Sequence, residues 1–476
     1  MDYEIVIGLE IHSELDTKTK IFCGCSTVFG AEENTQTCPV CLGLPGVLPV
    51  LNKKVVEYAV KAGIATGCKI AGYSKMDRKN YFYPDLPKAY QISQFDLPIC
   101  EDGSIDIDLG EYKKTIGITR IHIEEDAGKL IHDAGSGTLA DNNRCGVPLI
   151  EIVTEPDMRS AQEARVFAEK IKSILEYTEV SDCKMQEGSL RFDVNLSVMK
   201  KGAKEFGTRT EMKNLNSFRA LERAVEYESK RQIFELERGN RIIQETRKWD
   251  DDKAESFSLR SKEEAHDYRY FPDPDLVPVV LTEEYIDNIR RHLPKLPWLR
   301  KAEYMERWQL SEYDANVLTT SKDVANFFEK TVEVCDDAKS AANWLMGDIS
   351  AAMNEKNIGI KEIGFAPENL GELINLINKN TISGSIAKKV LKEMFETGKE
   401  PMKIVEEKNL GQMNDASELK NMVLEVMKAN PQSVEDLKGG KEKAIGFLVG
   451  QIMKQTKGKA NPGMVNQLIK ESLDQF

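Results

Sequence analysis

The sequence predicts an α+β protein, with a mixed sheet-and-helix N-terminal domain followed by an all-α helical domain and a small α-helical tail domain. Three observations carry this expectation. Period-two runs such as YEIVIGLEIH, KTIGITRIHIE and SLRFDVNLSV, separated by Gly, Pro and Asp turns, recur up to about residue 290. Past the proline-rich segments FPDPDLVPVV and HLPKLPW the pattern becomes helical to about residue 405. The last stretch is helical too, with Ile445, Leu448, Val449, Ile452 and Met453 on one apolar stripe. The expected domains are therefore 1–292, 293–405 and 406–476, and a chain of 476 residues holds three at roughly 100–200 residues each.

Taken in order, the chain opens on a strand whose Ile5, Ile7, Leu9 and Ile11 share one side, leaving Glu10 and His12 on the other. Helices are expected near 53–66, near 160–177 and near 215–238; Ser160 followed by Glu163 has the spacing of a capping box. In the tail, NPQSVEDLKGGKEK reads as a hinge or turn because of Pro431 and Gly439-Gly440. Asn461-Pro462 then caps a last helix that buries Val465, Leu468 and Ile469.

Composition excludes several classes. With 41% hydrophobic and 30% charged residues the chain is neither disordered nor fibrous. Its longest apolar stretch, 38–52, contains Pro39, Pro45 and Pro49 and cannot span a membrane. The acidic N-terminus does not look like a signal peptide. Nine cysteines, four of them crowded into 23–41, are not a disulfide framework, so a soluble cytoplasmic protein is expected. A net charge of -13 argues against long-range attraction to nucleic acid, so no DNA partner is expected and any RNA contact must be local.

Several residue groups could carry chemistry. Cys23 and Cys25, twelve residues, then Cys38 and Cys41 supply four thiolates at the spacing of tetrahedral structural zinc. Glu10 and His12, about 6.6 Å apart along a strand, can reach one Mg²⁺ or Mn²⁺, or can be a half-exposed pair. In IHIEEDAG, alternation puts Glu124 beside Arg120 and His122, while Glu125 follows Ile121 and Ile123 on the apolar face. Glu151 lies in an apolar run, where a carboxylate needs a cation, backbone donors or a proton. Arg191, Asp193 and Asn195 form a polar face that is either a site floor or the wet side of a sheet. Arg78, Lys79 and Lys88, interleaved with Tyr81, Phe82, Tyr83 and Tyr90, suit RNA ends or a rigid loop. No phosphate-binding loop, dinucleotide fingerprint or serine elbow occurs, so any bound nucleotide must be held through metal.

The ordered motifs GLEIHSEL, DRKNYFYPDLPKAYQISQ, IHIEEDAGK, PLIEIVTEPD, EGSLRFDVNLS, EMKNLNSF, DYRYFPDPDL, NWLMGDI and GFLVGQIMKQTKGKANP resemble the GatB family of glutamyl/aspartyl-tRNA amidotransferase subunits along essentially the whole chain. The resemblance implies a cradle domain with the active site, a helical domain and a tRNA-body-binding tail. It implies ATP and Mg²⁺ as cofactors, a glutaminase (amidase) subunit and a small third subunit as partners, and mischarged tRNA as substrate. Glu10, His12, Glu125 and Glu151 match the family's metal-binding positions, and Lys79 and Lys88 resemble residues of its ammonia passage. Arg191, Asp193, Lys213, Asn214 and Asn216 are implied contacts for nucleotide or acyl substrate. The four cysteines match a zinc site found in only some members. Two other readings are a non-catalytic RNA-binding module and a stand-alone ATP-dependent ligase, the latter without an evident glutaminase nucleophile.

Overall fold

The structure, a computed structural model, describes residues 2–132, 137–261, 268–411, 416–439, 441, 443–456 and 459–473. The chain divides into two compact units, Met1–Leu296 and Pro297–Phe476.

The strands of the first unit are β1 (Tyr3–Glu14), β2 (Lys69–Ile70), β3 (Tyr73–Ser74), β4 (Asp77–Asn80), β5 (Tyr90–Ser93), β6 (Cys100–Asp108), β7 (Lys113–Glu125), β8 (Lys129–Ile131), β9 (Leu139–Asp141), β10 (Pro148–Thr154), β11 (Leu190–Lys200), β12 (Thr210–Leu215), β13 (Glu245–Asp250), β14 (Glu255–Ser261), β15 (Phe271–Pro272) and β16 (Val279–Val280). One sheet runs β14-β13-β12-β11-β1-β10-β7-β6-β2. All its pairings are antiparallel except β12 with β13. The strip β15-β4-β5 is a separate small sheet.

Register follows from the period-two pattern. Ile11 of β1 faces Ile152 of β10 and Phe192 of β11, while His12 faces Glu151 and Arg191. A slip of one residue would exchange these two faces, which fixes the pairing. Helices α1 (Lys53–Ala65), α2 (Ala161–Tyr177) and α3 (Phe218–Glu237) contact the sheet, and α2 packs on α3. Phe167, Ile171, Leu221 and Val225 are fully buried, each stabilising by about 1.5–3 kcal/mol. Ser160 caps α2 by accepting from Glu163 N at 3.1 Å. The reciprocal half of the expected capping box is missing, because the Glu163 carboxylate accepts instead from Arg159 N, Lys114 and Tyr112. Helix α3 begins after Ser217, which accepts from Ala220 N, since residues 210–215 are taken by β12. Helix α4 (Glu283–His292) ends the unit.

The second unit is helical: α5 (Pro297–Trp308), α6 (Glu312–Leu318), α7 (Lys322–Cys335), α8 (Ala338–Trp344), α9 (Ser350–Lys356), α10 (Pro367–Asn378), α11 (Gly384–Thr397), α12 (Pro401–Glu407), α13 (Ala416–Ala429), α14 (Pro431–Lys438), α15 (Lys443–Gln455) and α16 (Pro462–Ser472). A π-helical turn, Leu345–Ile349, joins α8 to α9. One apolar cluster runs from Tyr304 to Val405 and another from Leu419 to Ile469. The segment expected to be a hinge forms α14 instead: Pro431 occupies the first turn, where its missing N–H is harmless, and Val434 joins the core. Asn461 caps α16 by accepting from Gly463 N and Met464 N, and Val465, Leu468 and Ile469 are buried as expected. The sequence TKGKANP predicts an exposed turn at Lys457 and Gly458 between the last two helices, and these two residues lie outside the described residues. No helix among the described residues is long and apolar enough to cross a membrane.

Candidate active site and metal centres

The polar face of the large sheet gathers charged residues from its central strands. Glu151 lies opposite His12 across β1/β10, and His122 lies opposite Glu151 across β10/β7. His12 Nε2 stands 3.5 Å from Glu124 Oε1 and 3.7 Å from Glu151 Oε2. His122 Nε2 stands 3.1 Å from Glu151 Oε2 and 3.6 Å from Glu124 Oε2. Two imidazoles thus bracket two carboxylates. Burial alone would lower the His122 pKa, but Glu151 and Glu124 hold it up at about 9; against its own burial, His122 keeps Glu151 below the usual carboxylate range.

One ligand atom each from His12, Glu124 and Glu151 lies within 4.8 Å of the others. Neighbouring ligands on an octahedral Mg²⁺ at about 2.1 Å stand roughly 3 Å apart, so small side-chain rotations would close this set around one ion. One imidazole and two carboxylates, open to solvent at His12 and Glu151, suit Mg²⁺ or Mn²⁺.

The structure groups the expected ligands differently. Glu125 does not join His12 and Glu151, because alternation persists to the end of β7 and turns adjacent acids to opposite faces. Its carboxylate accepts from Lys88 Nζ at 2.5 Å and from Ile92 N at 2.8 Å. Glu124 takes its place. Glu10 remains on the polar face but groups with Asp193 and Glu211, accepting from Asn195 Nδ2 at 2.8 Å. Lys213 ion-pairs with Asp193 and, at 3.2 Å, with Glu211, supplying positive charge to that group. Burial and the Glu151 charge push the Glu10 carboxyl up.

The remaining candidates divide. Lys79 Nζ rests 4.9 Å from the Tyr268 ring centroid and 5.8 Å from that of Tyr81, and Glu124 and Glu151 raise its pKa against burial. Arg191 Nη2 donates to Asp126 Oδ2 at 2.9 Å. Asn214, at a left-handed φ of 70°, spends its amide on the Trp249 carbonyl, and Asn216 is exposed before α3; neither is brought into the acid groups. Beside Glu10 the same face opens into a cavity of about 210 Å³ lined by Val6, Gly8, Asn195, Ser197, Phe206 and Arg209. Sequence reasoning missed His122 and Glu124 as site members, although the alternation of IHIEEDAG had already put them side by side.

Glu14 continues the polar side of β1. Burial and the Asp126 carboxylate push its pKa up from about 4.5 to about 8, opposed by Arg191 and Arg144. The folded chain therefore holds this proton more tightly than the unfolded chain. The resulting stability is complete below pH about 4.5 and is lost as pH rises through about 8. Glu14→Gln is expected to melt with wild type at pH 5 but roughly 5 °C above it at pH 8.5, as calorimetry at the two values would show.

Cys23, Cys25, Cys38 and Cys41 converge, with one sulfur of each within 4.8 Å of the others. The Cys38–Cys41 sulfurs are 3.9 Å apart, against roughly 3.8 Å for thiolates at about 2.3 Å from tetrahedral zinc. The second pair sits on a tight turn in which Leu42 N donates to Cys38 O and Cys38 N points at Cys41 Sγ, 3.1 Å away. Gly43 follows at φ 65°, and a Cβ there would stand 2.2 Å from Lys88 Cγ. The knuckle therefore needs glycine to let Lys88 pass to Glu125. Cys38→Ser is expected to lose the metal and lower the melting temperature, read by elemental analysis and calorimetry.

Comparison with known proteins identifies the family. Residues 5–287 match the GatB/GatE catalytic domain family and residues 326–473 the GatB domain family, which places the chain in the class of amidotransferase catalytic subunits. It is 61% identical over the full length of both chains to the GatB subunit of the aspartyl/glutamyl-tRNA(Asn/Gln) amidotransferase of Caldicellulosiruptor bescii. It is 60% identical to that of Thermoanaerobacter sp. (strain X514), covering 99% of this chain and 100% of the relative, and 55% identical over both full lengths to one from Clostridium acetobutylicum. The chain belongs to the GatB family of aspartyl/glutamyl-tRNA(Asn/Gln) amidotransferase subunits and is a ligase subunit.

Proposed function

We propose that this chain phosphorylates the side-chain carboxylate of Glu on tRNA(Gln), of Asp on tRNA(Asn), or of both, and then forms the amide with ammonia supplied by a glutaminase partner. A small third subunit completes the assembly. The His12–Glu124–Glu151 group is the observation that carries this reading, since three buried or half-buried donors converge where a divalent cation would be held. Bound there, Mg²⁺ would neutralise charge on the transferring phosphoryl group of ATP. A carboxylate is a poor electrophile, and the acyl phosphate gives ammonia a leaving group to displace.

The chain's own residues would do the rest. His122 braces both carboxylates from behind, and the cavity beside Glu10 offers Asn195, Ser197 and Arg209 to a nucleoside. Arg191 and Lys213, each held by a carboxylate, line the same face as cations near the phosphates. Lys79 and Lys88 would border the ammonia route, Lys79 on the side of the acids and Lys88 on the side of Glu125. ATP cleavage by the purified assembly, measured with each mischarged tRNA and with glutamine or free ammonia as donor, tests the reading; no tRNA-stimulated cleavage with either tRNA would refute it.

The tail, 406–476, is proposed to hold the tRNA body. Between residues 441 and 476 six lysines face three acids, a local net charge of +3 within a chain of net -13. Deleting the chain beyond about residue 405 is expected to raise the KM for tRNA and flatten its salt dependence, because fewer counterions are released. ATP cleavage at high tRNA should persist. An unchanged salt slope would make the tail an assembly element.

A further inference from the structure

Lys20 is the one lysine among the described residues that is buried to 1% exposure. Its ammonium has two polar neighbours, Cys41 Sγ at 3.7 Å and the Asn142 carbonyl oxygen at 3.4 Å. No carboxylate among the described residues forms an ion pair with it, whereas the less buried Lys88, which lines the same cavity, has Glu125. A buried ammonium without an anion is strongly disfavoured. Four thiolates around one Zn²⁺ carry a net charge of two minus, and they present that charge directly to Lys20.

We infer that Lys20 is the buried counter-ion of the four-cysteine metal centre, a positioning residue that stabilises the tetrathiolate charge by donating an N–H to Cys41 Sγ. The inference rests on the metal reading of the four cysteines. Lys20 and Lys88 line one cavity of about 90 Å³ together with Cys41, Gly146 and Glu125. Each lysine has its own anion there, so the metal-bound thiolates keep Lys20 from competing with Lys88 for Glu125. Without those thiolates Lys20 would have no anion of its own, and Glu125 is a carboxylate lining the same cavity.

The test uses the full chain. Zinc transfer to a chromogenic chelator is timed for wild type, Lys20→Met, Lys20→Gln, Lys20→Arg and Lys88→Met, and the thiolate-to-metal absorption band is recorded after Co²⁺ replacement. The two uncharged variants are expected to release zinc about tenfold faster or more and to shift the Co²⁺ band, while Lys20→Arg restores slow release. Lys88→Met removes the other cation of the cavity but not the neighbour of Cys41, so its Co²⁺ band should stay at the wild-type position even where lower stability speeds release. In a Cys38→Ser background, where the tetrathiolate is gone, Lys20→Met should no longer lower the melting temperature. Equal release rates and an unshifted band in all variants, or the same melting penalty for Lys20→Met in both backgrounds, would overturn the inference. Wild-type protein without zinc would instead refute the metal reading itself.

Discussion

Glu151→Gln is expected to lower tRNA-dependent ATP cleavage by about 100-fold or more, with loss of Mn²⁺ binding measured by electron paramagnetic resonance on the same protein. Glutamine keeps the size and the hydrogen-bonding reach of the side chain but removes the charge. That charge is central to the group, because Glu151 contacts both His12 and His122 and sits between them on the sheet. Without it, His122 loses the principal anion that keeps its imidazole protonated, and the remaining ligands offer a divalent cation one carboxylate instead of two. Folding should survive, since the sheet register is set by Ile11, Ile152 and Phe192 on the opposite face. Near-normal ATP cleavage at saturating Mg²⁺ would remove the His12–Glu124–Glu151 group from the chemistry.

The parts legible in the sequence are those governed by strict local periodicity. Strand β1 placed Glu10 and His12 on one face without tertiary information, and the two cysteine pairs met as their spacing implied. Other features depended on partners remote in sequence. Whether Glu124 or Glu125 joins His12 is decided by the pairing of β7 with β10, which puts His122 and Glu124 on the Glu151 face; a residue count within IHIEEDAG gives the faces but not which face meets β1. The Asn214 amide donates to the carbonyl of Trp249, 35 residues on, a partner that no local pattern announces. The 431–438 segment misled because Pro and Gly-Gly signal a turn, whereas Pro at the first position of a helix signals the opposite.

The adjacent acids Glu124 and Glu125 give the sharpest separation of steps. Both are buried at 3% exposure and differ only in the face to which alternation sends them. Glu124→Gln is expected to behave like Glu151→Gln, abolishing ATP cleavage. Glu125→Gln should leave tRNA-dependent ATP cleavage largely intact, because its partner is Lys88 and not the histidine-carboxylate group. What Glu125→Gln disturbs is the Lys88 side chain, which threads past Gly43 of the cysteine knuckle to reach it. Glutamine-supported amide formation should therefore fall more than formation supported by free ammonia. The reciprocal change is costlier to stability: Lys88→Met leaves the Glu125 carboxylate buried and unpaired, an expected loss of about 3–5 kcal/mol. Adding Glu125→Gln to Lys88→Met should recover much of that loss, since neither charge then remains. Denaturant unfolding of the two single variants and the double variant measures the coupling. Additive losses would mean that Lys88 and Glu125 do not rely on each other, and equal damage to both ammonia sources would move Glu125 into the step that activates the carboxylate.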